Sequence, residues 1–321
     1  MKRFMRIISK TGDPKFAEVY VANVGDNPRS LIEFVDSVDP RFPREEKQVI
    51  IISAQIGCPV GCLMCDSGTY FHGNLTKDEM FAQIDHVLSQ HTERGMQYAS
   101  HPKFKVQFAR MGEPSLNPAV LAALEEMPAR YSIKGLMPCI ATTAPVAAAN
   151  WFRHLIDIKE RLYHSGAFQL QFSLNSTDEA ERDALMPVKK WKLEDIASYG
   201  ELYLRKNDRK ITLNFALTKD AEFESRVISE TFDPEKFLIK ITPVNPTDLA
   251  TANNFDSVIS HEEPNGADRL ANTLEAYGFE TIISIGVPEE IAIGSNCGQS
   301  ARRILDGKSE NTGQLETRPS L

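Results

Sequence analysis

From residue 49 onward the chain alternates β-like runs with amphipathic helical runs, and this alternation restricts its fold more than any other feature. Residues 49–54 are a dense β-branched run, and the segments 104–108, 136–142, 168–174, 211–217 and 237–242 are patterned as further strands. The clearest helix is predicted over 75–95. Thr76 and Glu79 form a capping box, and Met80, Phe81, Ile84, Val87 and Leu88 line one face up to a stop at Gly95. Asn117-Pro118 opens a second helix with a cap and a proline at its first position. A third is expected around 151–162, with more helical material over 177–206. Leu270, Leu274 and Tyr277 mark a late helix closed by Gly278, followed by a last strand at 282–285.

Six strands in βα order, from 49 to 242, predict an α/β fold with a parallel sheet and helical crossovers. A barrel and an open doubly wound sheet both satisfy that order. Polar and glycine residues gather just after the strands: a cysteine loop, Gly112-Glu113, Thr142-Thr143, Asn175-Ser176 and Asn245. In α/β barrels the chemistry sits at that end of the strands. Residues 1–48 read as a β-rich extension and 49–303 as the core, and the polar stretch 304–321 is expected to be poorly ordered.

Composition narrows the function classes. The 321 residues are 42% hydrophobic and 25% charged, the signature of a globular chain with a sizeable core. No apolar stretch is long enough for a signal peptide or a membrane-spanning helix, so no membrane partner is expected and a cytoplasmic location is. A net charge of −8 leans against a large nucleic-acid footprint, because phosphate contacts call for a basic surplus. Three of the five cysteines fall within eight residues, Cys58-Pro-Val-Gly-Cys62-Leu-Met-Cys65. Three thiolates on one short loop suit a soft metal or an iron–sulfur cluster. A structural zinc site wants four ligands, and no second cysteine pair stands elsewhere to supply them.

The CxxxCxxC spacing directly after the first core strand resembles the radical S-adenosylmethionine (SAM) superfamily. That resemblance implies a partial (βα)6 barrel with a C-terminal active-site tail. It also implies a [4Fe–4S] cluster on Cys58, Cys62 and Cys65, SAM bound at the open iron, and an electron donor such as flavodoxin or ferredoxin. Met64 stands where the superfamily usually has an aromatic residue, and its thioether can pack against adenine. Within the superfamily, several segments look like the RlmN/Cfr-type adenine methyltransferases: 53–58, Asp66-Ser-Gly68, Gly112-Glu113-Pro114, Ser173-Leu174-Asn175, Pro243-Val244-Asn245-Pro246 and Cys297-Gly298-Gln299. By that resemblance Gly112, Glu113, Thr142 (or Thr143), Ser173, Asn175 and Asn245 contact SAM. Cys297 matches the tail cysteine that carries a methyl group to an electron-poor carbon of adenine in RNA.

Three departures weigh against an rRNA substrate. The family's second cysteine, seven residues before the first cluster ligand, is replaced by Ile51, which can neither attack sulfur nor form a disulfide. Cys139 is left over, expected as a packed core thiol and otherwise as a substitute for that cysteine. Only 57 residues precede Cys58, little room for the family's helical RNA-binding domain, and the net charge is acidic. A general base is expected in the N-terminal strands, with Glu18 as the candidate. Two readings follow: methyl transfer through Cys297 to RNA or to a smaller unsaturated substrate, or radical chemistry without methylation on the same scaffold.

Overall fold

The computed structural model describes residues 5–39, 41–93, 95–260, 263–286 and 298–307. Its centre is a ten-stranded sheet. Seven strands run parallel: β4 (Gln48–Ile52), β7 (Phe104–Phe108), β8 (Leu136–Thr142), β9 (Gln169–Ser173), β10 (Ile211–Ala216), β11 (Phe237–Thr242) and β12 (Thr281–Ile283). They lie side by side in chain order, as successive βα crossovers require. Both edges of the sheet are open among the described residues.

The N-terminal residues extend this sheet. The strands β1 (Met5–Asp13), β2 (Ala17–Val24) and β3 (Leu31–Val38) form an antiparallel meander, and β3 pairs with β4 with Val35 opposite Ile51. The expected extension therefore shares hydrogen bonds with the core. Two short strands, β5 (Gln55–Gly57) and β6 (Phe71–Asn74), form a separate ribbon that brackets the cysteine loop.

The crossover helices stand where the apolar periodicity predicts them: α1 (Lys77–Glu93), α2 (Ala119–Tyr131) and α3 (Ala149–Leu162). The helical stretch expected over 177–206 resolves into α4 (Glu179–Leu185) and α5 (Leu193–Tyr203). The break falls at Met186-Pro187, where a proline disfavours helix in the residue before it. Short helices α6 (Ser225–Thr231) and α7 (Asp248–Ala252) follow, then α8 (Asp268–Ala276) and α9 (Gln299–Leu305). No described helix is long and apolar enough to cross a membrane.

Strand alternation gives the sheet two unlike faces. Phe104, Val106, Phe108, Leu170, Phe172, Ile211, Leu213, Phe215, Ile239 and Ile241 point one way, into the apolar core shared with the helices. Their neighbours Lys105, Gln107, Gln169, Gln171, Thr212, Asn214, Lys240 and Thr242 point the other way. Parallel strands buried on both faces are usually apolar throughout. Polar residues on one face therefore mark an interior built for something other than packing.

The meander is pinned to α1 by a buried charge cluster. Asp36 accepts from Arg44 Nη1 at 2.5 Å and Gln48 Nε2 at 2.7 Å, and its other oxygen meets His91 Nε2 at 2.5 Å. His91 and Arg44 hold the Asp36 carboxyl below its usual value against the opposing effect of burial. Its contribution to stability is thus present above the unfolded carboxyl value and is lost as pH falls through the lower folded one. Asp36→Asn is expected to cost about 3 kcal/mol, because it leaves the largely buried Arg44 guanidinium without its carboxylate. Urea unfolding at pH 7 and pH 3 checks this, with the gap between variant and parent narrowing at the lower pH.

Candidate active site

The three cysteines lie on the loop that leaves β5. Gly57 precedes them with φ +76°, and a Cβ there would stand 2.0 Å from the Tyr70 carbonyl, so only glycine lets the two strands of the ribbon close. Cys58 N–H then donates to Tyr70 O at 3.0 Å. The rest of the loop is tied down from three directions. Leu63 N–H donates to Leu185 O of α4 at 3.0 Å, Thr247 Oγ1 donates to Met64 O at 3.0 Å, and Asn253 Nδ2 donates to Leu63 O at 2.8 Å.

Asp66, directly after the last cysteine, is fully buried. Its carboxylate accepts from the backbone N–H groups of Asp248 and Leu249, at the start of α7, and pairs with Arg302 of α9 at 2.9 Å. An acid at a helix N-terminus satisfies donors that the helix itself cannot.

Burial and the nearby Cys65 charge push the Cys58 thiol up to about 12. Cys62 is pushed up by burial and then by Cys65 and Cys58. The three half-buried sulfurs thus lie within electrostatic reach of one another. Among the described residues no three His, Cys, Asp or Glu side chains converge tightly enough for a single metal ion. A cubane binds each thiolate through a different iron, so its ligands need not converge on one point. The donor set and its spacing fit a cluster better than mononuclear zinc.

Glu113 organises the loops beside the cysteines. Its Oε1 accepts from Ser115 N (3.1 Å), Ser115 Oγ (2.7 Å) and Thr142 Oγ1 (2.6 Å), and its Oε2 from Thr143 N (2.8 Å) and Thr143 Oγ1 (2.9 Å). The carboxylate therefore locks the loop after β7 to the loop after β8. Its own N–H donates to Gln55 Oε1 at 2.8 Å, joining both to the strand that leads into the cysteines. Gly112 has φ +96°, and a Cβ there would lie 2.5 Å from Gln55 Cβ. A left-handed residue packed this closely must be glycine.

Asn175, also left-handed at φ +66°, follows β9. Its Oδ1 accepts from Ala216 N at 3.0 Å, and its Nδ2 faces the sulfurs of Met186 (3.5 Å) and Met64 (3.9 Å). Ser173 ends β9 half-buried, opposite Asn214 of β10. Asn245 is exposed in the loop before α7. The predicted positions Gly112, Glu113, Thr142, Ser173, Asn175 and Asn245 thus all lie at the C-terminal ends of parallel strands, as does the cysteine loop.

Cys297 lies outside the described residues. Gly298, its neighbour in the chain, is packed so closely on the turn after Cys65 that a Cβ would meet Ser67 N at 2.4 Å. The Glu33 carboxylate holds this segment. It accepts from Gly298 N at 3.0 Å and Ala301 N at 2.7 Å, and pairs with Arg110 at 2.6 Å. Glu33 is a residue that sequence reasoning missed. The available signal was a lone carboxylate in the apolar run Leu31-Ile-Glu-Phe-Val35.

Glu18 is placed elsewhere. It shares the face of β2 with Tyr20, whose ring packs on His86 of α1, and it binds Tyr20 Oη (3.1 Å) and Lys10 Nζ (2.5 Å). The structure does not bring it to the cysteine loop, because strand parity points it to the helix side. Ile51 packs with Ala17, Val19 and Val35. Cys139 is buried, yet it stands on the polar face, with Sγ 3.6 Å from Gln169 Oε1. Ile51 pairs with Gln107 and Gln107 with Cys139, so the thiol stands in the same transverse row, two strands away.

Comparisons with known proteins bear on this geometry. No family profile matches the chain. The dual-specificity RNA methyltransferase RlmN of Anaeromyxobacter sp. (strain Fw109-5) is 28% identical over 183 residues, covering 55% of this chain and 45% of that protein. The match thus spans less than half the length of that relative. A probable dual-specificity RNA methyltransferase RlmN of Petrotoga mobilis (strain DSM 10674 / SJ95) is 22% identical over 312 residues, covering 92% of this chain and 81% of the relative. Among solved structures, a radical SAM methyltransferase from Sphaerobacter thermophilus superposes with a TM-score of 0.71 at 18% identity, over 92% of this chain and 80% of that one. The chain has the radical-SAM fold and resembles the RlmN-type enzymes. Streptococcus suis SuiB bound to SAM shares the fold more distantly, with a TM-score of 0.51 at 14% identity, over 75% of this chain and 51% of that one.

Glu113→Gln replaces one acceptor oxygen with an amide NH2 that faces other donors. It is expected to lower stability by about 2 kcal/mol, and to weaken SAM binding more than any substitution at exposed Asn245. Thermal melts and equilibrium dialysis with labelled SAM check both effects.

Proposed function

We propose that the chain is a radical-SAM enzyme that methylates an sp2 carbon through Cys297, with a [4Fe–4S] cluster held by Cys58, Cys62 and Cys65. The observation that carries this reading is the grouping of the cysteine loop, the Glu113 hub and the Gly298 turn at one end of the parallel sheet. When bound, the cluster supplies the electron that splits the sulfonium of SAM, giving a 5′-deoxyadenosyl radical.

This chain's residues have distinct tasks in that reading. Gly112 lets backbone approach the methionine end of SAM, and Glu113 keeps that backbone and Thr142-Thr143 in place. Met64 and Asn175, already in contact, form the wall against which adenine packs. Ser173 and Asn245 flank the same opening. Val60, Leu185 and Met186 pack against Cys58, Cys62 and Met64 and shield that side of the loop from water. A flavodoxin- or ferredoxin-type protein is the electron donor, and an RNA adenine or a smaller unsaturated molecule is the acceptor. Glu33 positions the segment after Cys297 and is committed to that anchoring.

A second reading, radical chemistry without methylation, is favoured by Ile51. It fills its site with apolar contacts where methyl transfer needs a resolving thiol.

Mass spectrometry of the peptide containing Cys297, after anaerobic expression with iron and SAM available, separates the two. One added methyl on Cys297 supports methyl transfer and sends the search for the resolving thiol to Cys139→Ala. An unmodified Cys297, in protein that holds iron and cleaves SAM, overturns it. Independently, the Cys58→Ala/Cys62→Ala/Cys65→Ala variant is expected to lose its iron, its absorbance near the visible edge and all reductive SAM cleavage. Retention of stoichiometric iron would remove the cluster assignment.

A further inference from the structure

The polar face of the sheet carries a second cluster, at the opposite end from the cysteines. A cavity of about 240 Å³ opens there, and its charged lining is Arg41, Lys105, Arg209, Lys210, Lys240 and Glu280. Five of these six groups are cations, in a chain whose net charge is −8. Local neutralisation is incomplete among the described residues. Asp39 pairs with Arg41 at 2.9 Å, and Lys105 Nζ donates to the neutral Gln169 Oε1 at 2.9 Å. Lys240, at the centre of β11, meets no acceptor among the described residues. Burial and the charges of Lys105 and Arg41 push its ammonium down to about 8. Lys103 close by is also lowered, by burial and then by Lys47, Arg209 and Lys105. Like charges gathered in a poorly solvated cavity repel one another, and an anion relieves that repulsion.

The cavity and the cysteine site share one face. Gln169 lines the cavity and Ser173 stands at the cysteine end of the same strand, four residues on. At strand rise that is about 13 Å. The inward side chains between are polar: Gln171 on β9, and Thr212 and Asn214 on β10. Asn214 Oδ1, on this same face, is buried with no hydrogen-bond partner. A buried polar atom left unsatisfied is unusual and points to a missing donor.

We propose that the cavity binds the phosphate of a small, nucleotide-sized substrate, whose other end reaches along the polar face to the cysteine site. This substrate assignment rests on the radical-SAM reading. A tetrahedral dianion takes several charge-assisted bonds at once, which matches a ring of lysines and arginines better than a single carboxylate does. A cavity of this size holds one or two phosphates. A polymer backbone would want an extended basic track, and a net charge of −8 weighs against one.

The test is isothermal titration of the anaerobically purified protein with inorganic phosphate, pyrophosphate and adenosine monophosphate, at chloride-matched ionic strength. Saturable binding is expected, weakened at least about tenfold in Lys105→Gln/Arg209→Gln and in Lys240→Met. Lys240→Met guards against misfolding. Removing a buried ammonium that also faces Lys105, Arg41, Lys47 and Cys139 should raise the melting temperature at pH 7. The gain should close above about pH 10.4, where the unfolded-state lysine is also neutral. A variant that melts higher and binds phosphate less isolates the site's role.

No saturable phosphate binding, or equal binding by parent and variants, overturns the proposal. So does a 12-nucleotide RNA that binds about a hundredfold tighter than adenosine monophosphate and is displaced by pyrophosphate, since the cavity would then serve a polymer. Reductive SAM cleavage, measured on the same samples, reports separately on the reading beneath. Phosphate uptake without cleavage leaves the anion site and removes the substrate assignment, whereas cleavage without phosphate uptake leaves the radical-SAM reading and overturns the proposal.

Discussion

A buried carboxylate survives in a protein only where donors surround it, and three such carboxylates hold this site together. Glu113 draws five donors from two strand-end loops. Asp66 draws the first turn of α7 and Arg302 onto the cysteine loop. Glu33 draws the start of α9 and Arg110 onto the N-terminal meander. Apart from the bonds of Glu113 to Ser115, these span large separations in sequence, so they form only once the sheet has brought the loops together. The cysteine loop takes its shape from these ties and from the small apolar cluster of Val60, Leu185 and Met186 beneath it.

The sheet's two faces divide the work. Phenylalanine, isoleucine and leucine on one face bury against the helices and supply the stability. The other face gives up that burial for lysine, glutamine, asparagine and threonine. Such a trade lowers stability and is retained where an interior serves a ligand. Its two ends differ in charge: thiols and satisfied carboxylates at one, incompletely paired cations at the other. A molecule lying along it would meet fixed, opposite environments at its two ends and could bind in one direction only.

The meander's role follows from the same geometry. It continues the sheet past β4 and covers what would otherwise be an open edge. It also delivers Glu33 to the tail and fixes Ile51 in an apolar nest. The N-terminal residues are thus wired into the site, although they carry no part of the cysteine motif.

The sequence by itself determined the succession of core strands along the chain, the helix that follows each of the first strands and the places where polar loops must fall; that the strands lie side by side in chain order was decided by the fold. The first three depend on local periodicity and on residues such as Gly95 and Pro118, whose backbone preferences act within a few positions. It also determined the cysteine motif, because three ligands within eight residues need no tertiary folding to be neighbours. Only the tertiary structure decided which carboxylate serves the site. Glu18 and Glu33 both look like lone acids in β-strands, and strand parity within the assembled sheet sends Glu18 toward α1 and Glu33 toward Arg110 and α9. The same holds for the cations at the far end of the sheet. Lys105, Arg209 and Lys240 are scattered over more than a hundred positions and read singly as solvated charges. They become one cavity because parallel pairing sets β7, β9, β10 and β11 in register, and register is a property of the sheet, set by no strand alone.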